Sequence, residues 1–381
     1  MAISTTPTVF IAAGEPSGDL HGAGLARALR ARIPGVRILG MGGARMREAG
    51  AELLAELDEL SVMGFAEVVS RLPYFIRLTR RVHEALARER VDLVIPIDYP
   101  GFNLRLARHA KERGLGVLYY IAPQVWAWHA SRAHDLARDT DRVAVILPFE
   151  ADFLKRAGAN AVFVGHPLLD LPDPPRDAAA WARSHGLDPA RPILALFPGS
   201  RAQELKRHLE LFSRTAAEVV ARMPGVQPVF GASPDLAPSL FAGAPWPRMP
   251  GDSGLLQNAT AALAKSGTTT LEAALAGTPL VVAYRMNRLS YQMARRLVKV
   301  PHIALANLVA GGRVAPEFVQ HEATPERLAG ALLPLLDVGS VERAAMVDGL
   351  LGARQALVAE GGGSAAVHVA EMAAELLERR R

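Results

Sequence analysis

The chain has no cysteine in its 381 residues. Disulfides, thiolate nucleophiles and Cys-ligated metals are excluded, and a reducing compartment fits. Long hydrophobic runs are missing too: no window reaches the roughly 18 uninterrupted apolar residues of a spanning helix. Met1–Pro7 lacks a charged n-region, and Thr8–Ala13 is too short for a signal helix. There is no Gly-x-x-x-x-Gly-Lys-Ser/Thr, so P-loop ATPase chemistry is excluded. No His, Asp and Glu residues fall at a metal-binding spacing such as His-Glu-x-x-His, and no metal is expected. No Lys/Arg cluster interleaves with aromatics toward a groove, so no nucleic-acid partner is expected. Charged residues, at 21%, are too few for a disordered polyelectrolyte.

What is present is a soluble or peripheral chain, half of it hydrophobic, long enough for two domains with real cores. Its formal charge of +5 favours anionic partners. Short apolar runs at Thr8–Ala13, Val36–Leu39, Val91–Ile97, Val117–Ile121, Val143–Leu147 and Val162–Val164 alternate with helical patterns. They predict buried parallel strands with right-handed crossovers. Leu171–Arg176 carries three prolines and reads as a linker. A second series follows at Ile193–Phe197, Val226–Phe230, Ala261–Ala264 and Leu280–Ala283, then helices over Thr324–Leu336, Ser340–Glu360 and Ser364–Arg380. The expected fold class is α/β, with two doubly wound lobes facing each other across a cleft. The expected domains are residues 1–170 and 177–360, with a last helix in 361–381 that packs back on the first lobe or on a partner subunit.

Three strand-to-helix junctions carry candidate chemistry. Free N–H groups at a helix start, at the open edge of an α/β sheet, suit anions and polar ligands. Glu15, Ser17 and Asp19 follow the first strand; Glu15 and Asp19 can bind sugar hydroxyls or cap the helix. Gly199, Ser200 and Arg201 end the strand Ile193–Phe197, and Arg201 offers a fork for phosphate. Ser266, Gly267, Thr268 and Thr269 offer hydroxyls and N–H groups at the third, where Glu272 can accept from ribose hydroxyls. For the last two, the plain alternative is ordinary helix capping. Asp98 ends the run Val91–Ile97; it can take a proton from a hydroxyl, or cap the next helix. Asn103 follows it. Trp126 and Trp128 sit after another strand end, where indoles can stack on sugars or simply fill space. His129 and His166 can exchange protons but are more often structural.

Leu60–Leu86 differs in kind. Val62, Met63, Val68, Val69, Leu72, Phe75 and Ile76 interleave with Arg77, Arg80 and Arg81. This is the pattern of a helix docked on anionic lipid, or of a core helix with a solvated basic face.

The motifs taken together resemble one family closely, the bacterial lipid-A-disaccharide synthases. They are Ala13–Asp19, Gly40–Gly43, Leu60–Gly64, Ile97–Asn103, Pro123–Trp128, Leu147–Glu150, Gly165–Pro167, Leu196–Arg201, Lys265–Glu272 and Asn307-Leu308. Pro16 stands where many members have Ala. The resemblance implies a GT-B glycosyltransferase, inverting, independent of metal and cofactor. It joins UDP-2,3-diacylglucosamine to 2,3-diacylglucosamine 1-phosphate and yields the β-1,6-linked lipid A disaccharide 1-phosphate and UDP. On that reading Asp98 is the base. Gly199, Ser200, Arg201, Ser266, Gly267, Thr268, Thr269 and Glu272 hold UDP. Glu15, Ser17, Asp19, Asn103 and Trp126 meet the acceptor or a sugar. The segment Leu60–Leu86 faces an anionic membrane. The resemblance also implies a homodimer, cytoplasmic and peripheral on the inner face of the inner membrane. A UDP-sugar epimerase of the same fold is the alternative; it has no need of the Leu60–Leu86 surface.

Overall fold

The computed structural model describes residues 6–57, 72–128, 131–171, 177–234, 236–287, 291–292 and 300–380. The chain divides into two compact units, residues 1–171 with 357–381, and residues 172–356.

The first unit begins with β1 (Thr8–Ala13), α1 (Pro16–Arg32), β2 (Arg37–Gly42), α2 (Ala44–Glu48), β3 (Glu52–Glu56) and α3 (Leu72–Arg88). It continues with β4 (Leu93–Ile97), α4 (Pro100–Glu112), β5 (Gly116–Tyr120), α5 (Val125–Trp128), α6 (Arg132–Asp139), β6 (Arg142–Val145), α7 (Pro148–Arg156) and β7 (Ala161–Phe163). Its seven strands are parallel in the order β3-β2-β1-β4-β5-β6-β7. A strand alternates its side chains between faces, so β1 serves two cores. Val9, Ile11 and Ala13 join Leu25 and Leu29 of α1 on one side. Phe10 and Ala12 join Leu78, Val82 and Leu106 on the other.

The second unit contains α8 (Ala178–Ser184), β8 (Ile193–Phe197), α9 (Ala202–Arg222), β9 (Gln227–Ala232), β10 (Arg248–Pro250), α10 (Ser253–Asn258), β11 (Ala261–Lys265) and α11 (Thr269–Ala276). Then come β12 (Leu280–Tyr284), α12 (Leu305–Ala310), β13 (Glu317–Val319), α13 (Pro325–Leu336) and α14 (Val341–Ala356). Its parallel sheet runs β10-β9-β8-β11-β12-β13. The final helix, α15 (Ala365–Arg379), belongs to the first unit and packs on α1 through Val369, Leu376 and Leu377.

Both sheets reverse direction at one point. From β1 the chain winds outward to β2, and β4 lies on its other side; β8, β9 and β11 repeat the arrangement. The loops leaving β1 and β4 part, as do those leaving β8 and β11, and open a crevice at the carboxyl ends of the strands. All three junctions singled out from the sequence, and Asp98, lie at these two switch points.

Asp170 accepts from Ser364 Oγ at 3.1 Å and Ala365 N at 3.2 Å and so anchors the start of α15. Val369 is 0% exposed and Val367 45%. Val369→Asp would bury an unpaired carboxylate, costing several kcal/mol, whereas Val367→Asp should stay within about 0.5 kcal/mol. Calorimetric melting of both variants checks this; equal Tm values would show that α15 contributes nothing to the first unit's stability.

Candidate active site

In the first unit the switch point is built around a strained turn. Asp98 and Tyr99 follow β4 with φ of 44° and 49°, a left-handed conformation that costs a non-glycine residue about 1–3 kcal/mol. Four side-chain bonds hold it. Asn103 Nδ2, on α4, donates to the carbonyls of Ala12 and Ile97 at 3.0 Å and of Asp98 at 2.8 Å. Tyr119 Oη donates to the Asp98 carbonyl at 2.8 Å. The Tyr99 ring lies over Gly14, where a Cβ would stand 2.3 Å from it; only glycine lets β1 end there.

The turn leaves the Asp98 carboxyl half-buried and without a cation among the described residues. Burial, then the nearby Glu15 charge, pushes it up to about 6, against a bond from Tyr99 N–H. The capping alternative for Asp98 does not hold: Tyr99 occupies the N-cap of α4, with no side-chain cap bond. Glu15 and Ser17 are exposed at the start of α1, Glu15 at its N-cap without a side-chain bond.

Two expected sugar ligands are corrected. Asn103 is 0% exposed and its amide hydrogens are engaged by the three carbonyls. Asp19 is buried and accepts from the backbone N–H of Gly43, Arg45 and Met46 at 2.7, 3.2 and 3.1 Å. It anchors the start of α2, because those orphan N–H groups need an acceptor. Trp126 is half-buried, and its Nε1 donates to Glu150 Oε1 at 2.9 Å. Glu150 also accepts from Leu147 N at 3.1 Å. Burial pushes its carboxyl up to about 7, with Asp98 adding to the rise and these donors opposing it. His166 Nδ1 accepts from Leu168 N at 3.2 Å, and burial lowers it to about 4, so it is a neutral structural group. His129 and the side chain of Trp128 lie outside the described residues.

In the second unit, Gly199 has φ of 130°, and a Cβ on it would lie 2.5 Å from Glu204 Cβ. Glu204 Oε2 accepts from Ser200 N at 3.2 Å, while its Oε1 meets Lys265 Nζ at 2.8 Å. Burial opposes ionisation of Glu204, yet Lys265 and the Ser200 N–H outweigh it and hold the carboxyl below its usual range. Arg201 is exposed at the N-cap of α9, and its guanidinium makes no hydrogen bond among the described residues. Across the switch point, Ser266 Oγ donates to the Ile303 carbonyl at 2.6 Å, and Gly267 to Thr269 lead into α11. Glu272, one turn in, is raised by burial and unbonded among the described residues.

Sequence reasoning passed over Glu204 and Glu150 as site residues. Both are acids at the third position of a helix whose carboxylate reaches back to a preceding backbone N–H, a readable capping signal.

Of the expected membrane-facing residues, Val62, Met63, Val68, Val69 and the Leu72 side chain lie outside the described residues. α3 turns Leu78, Val82 and Leu86 into the core, and Phe75 packs half-buried against it. The expectation is corrected for Phe75; Arg81 is exposed and donates to the Leu54 carbonyl at 2.9 Å. Ile76, 55% exposed, Arg77 and Arg80 face outward. No helix among the described residues is long and apolar enough to cross a membrane, and none of their His, Asp and Glu side chains group as metal ligands.

A model of the Lipid-A-disaccharide synthetase family matches residues 9–356. The Lipid-A-disaccharide synthase of Trichlorobacter lovleyi is 44% identical over 344 residues, 88% of this chain and 90% of the relative. That of Geobacter metallireducens is 38% identical over 388 residues, covering all of both. Among solved structures, the calicheamicin glycosyltransferase CalG4 superposes with a TM-score of 0.61 at 19% identity, over 98% of this chain and 99% of that one. The UDP-GlcNAc 2-epimerase of Neisseria meningitidis bound to UDP-GlcNAc gives 0.63 at 10% identity, over 98% and 100%. These structures share the fold.

The two readings of Asp98 separate experimentally. A carboxyl raised by burial destabilises the native state once pH exceeds its unfolded pKa, with the loss complete above the folded value of about 6. Asp98→Asn should therefore melt no lower than the parent at pH 7.5, and up to about 1–3 kcal/mol more stably. Its turnover should drop about a hundredfold to ten-thousandfold. Glu15→Gln should move the acid limb of kcat/KM, expected near pH 6, to lower pH. A fully active Asp98→Asn with a depressed Tm would show that Asp98 serves only the fold.

Proposed function

This chain belongs to the lipid-A-disaccharide synthase family, and from that premise we propose how its residues divide the reaction. The enzyme is a GT-B glycosyltransferase that joins UDP-2,3-diacylglucosamine to 2,3-diacylglucosamine 1-phosphate in lipid A synthesis. The relatives reported above are synthases at 38–44% identity, whereas the epimerases are fold neighbours at 10–14%; the epimerase alternative is not favoured.

The acceptor 6-hydroxyl attacks the anomeric carbon of the donor from the face opposite UDP. Its proton passes to Asp98, the bond from the anomeric carbon to the phosphate oxygen breaks, and UDP leaves with the bonding electrons. Inversion gives the β-linkage. The observation that carries this reading is the Asp98 carboxyl, raised to about 6 with no cationic partner among the described residues. It is ionised at neutral pH yet more basic than an ordinary aspartate.

The helix starts after Ser200 and Ser266, with Gly199, Gly267, Thr268 and Thr269, bind the departing diphosphate, and Arg201 offsets its developing charge. Glu272 accepts from ribose. Glu15, Ser17 and Trp126 border the sugar.

Both substrates carry acyl chains, so the enzyme works at a lipid surface. Supporting this, α3 borders an open groove of about 590 Å3 lined by Ile76, Arg80, His83, Arg88 and Arg113. An exposed apolar side chain edged with arginines suits anionic headgroups. Ile76 enters the lipid, with Arg77 and Arg80 on phosphates. A cytoplasmic, peripheral homodimer is the expected assembly, measurable by light scattering.

Release of UDP should require both lipid sugars together; conversion of the donor without an acceptor would refute the assignment. Arg201→Ala should cost on the order of 2–4 kcal/mol in the transition state, roughly thirtyfold to a thousandfold in kcat/KM, and weaken UDP binding. Turnover and UDP affinity both within about twofold of the parent would remove Arg201 from the site. Ile76→Ser with Arg77→Ala and Arg80→Ala should reduce co-sedimentation with anionic vesicles, each arginine contributing about 1 kcal/mol, screened by salt. Unchanged partitioning would rule out this face as the membrane contact.

A further inference from the structure

The second unit holds a small basic pocket that the donor site does not use. Its volume is about 110 Å3, and its walls are Lys206, Arg207, Glu210, Leu211, Arg214 and Arg285, closed by Pro325. Five of these come from neighbouring turns on one side of α9; Arg285 follows β12. Four positive side chains thus face one negative one. Lys206 and Glu210 stand four residues apart, as do Glu210 and Arg214, the spacing at which helical ion pairs form. Neither pair forms, although Arg222 and Glu218 pair at that spacing on the same helix. Three exposed cations on one helix face, with Arg285 beside them, make a space that suits an anion.

The pocket is tied to the reaction's sheet edge. Arg285 N donates to His208 Nε2 at 2.9 Å, and His208 Nδ1 donates to the Glu204 carbonyl at 2.8 Å. One neutral tautomer satisfies both bonds, and burial keeps the ring neutral. Glu204 in turn holds Ser200 N. The guanidinium of Arg285 is fixed by its bond to the Ala323 carbonyl. The walls offer no aromatic face for a nucleobase; charged groups on several sides suit a compact anion with several oxygens.

We propose that this pocket is a subsite for a phosphate monoester, the one on the acceptor sugar, separate from the diphosphate site at Ser200 and Ser266. It rests on the glycosyl-transfer reading above, in which the acceptor carries a monoester and the donor does not. Near neutral pH such a group carries about −1.5 to −2 charges, opposite in sign to the pocket. The subsite selects phosphorylated acceptors.

The test compares 2,3-diacylglucosamine 1-phosphate with its dephosphorylated counterpart as acceptors, in neutral detergent micelles at saturating donor. The parent enzyme should prefer the phosphorylated sugar. In Arg207→Ala/Arg214→Ala, KM for that sugar should rise about tenfold to a hundredfold, the scale of lost charge-assisted hydrogen bonds. The ratio of kcat/KM between the two acceptors should fall toward one, with kcat little changed and UDP affinity retained by calorimetry. Arg214→Lys, which keeps the charge and loses the fork, should fall in between. A ratio within about twofold of the parent's overturns the subsite. So does an equal loss with both acceptors, or a matching loss of UDP affinity. A double variant that keeps the ratio but loses binding to phosphatidylglycerol vesicles assigns the pocket to bulk lipid phosphate and overturns it too. A parent enzyme that releases no UDP with either acceptor overturns the transfer reading itself, and the subsite with it.

Discussion

The amide of Asn103 holds together the part of the first unit on which the rest depends. It bonds the carbonyls of Ala12, one residue before the end of β1, and of Ile97, the last of β4, the two strands that flank the switch point, and the carbonyl of Asp98 itself. Parallel strands leave such carbonyls unpaired where the chain departs, and buried orphans are costly. Satisfying them from one side chain on α4 frees the backbone to turn left-handed at Asp98 and Tyr99. That turn sets the carboxyl beside Glu15, and the Tyr99 ring needs the bare backbone of Gly14. The Asn103 Oδ1 has no partner among the described residues.

The second unit ties its switch-point loop with an acceptor, a carboxylate, instead of a donor. Glu204 receives the Ser200 N–H and is held by Lys265 across the β8–β11 switch point. The difference follows from what each loop must do. The Asp98 turn presents a side chain and needs its carbonyls tied. The Ser200 turn presents N–H groups, and an acidic anchor behind it fixes the loop while leaving Arg201 free.

The sequence made the central strands plain and the edges obscure. Thr8–Ala13 and Ile193–Phe197 agree with β1 and β8 residue for residue, because strands buried on both faces are continuous apolar runs. β3, β10 and β13 were not expected. Each is an edge strand, the last two only three residues long, with charged residues among Glu52–Glu56, Arg248–Pro250 and Glu317–Val319. Edges are kept short and charged, which erases the hydrophobic signal. The strand-to-helix junctions were legible because a strand end, a glycine and a helix start are local features. The partners of Asp19 and Asn103 were not: Asp19 bonds residues 24 to 27 positions away, and Asn103 reaches back 91 to Ala12. Nothing local in a polar residue at a helix start tells whether it faces a ligand or a neighbouring loop.

Charge tuning separates the anchors from the reacting group. Glu204 and Asp98 are both partly buried acids at switch points, and burial alone would raise both. Glu204 has Lys265 at 2.8 Å, stays ionised and is a fixed strut. Asp98 has no cation among the described residues, and its neighbour Glu15 is another acid. Its proton affinity rises instead of falling, which suits a group that must accept a proton during turnover. Glu150 takes this further: fully buried, it rises to about 7 with Asp98 among the causes, while the Trp126 indole and Leu147 N–H hold its position. The same chemical group thus serves as a strut where the fold supplies a cation, and suits a base where, as at Asp98, none stands among the described residues.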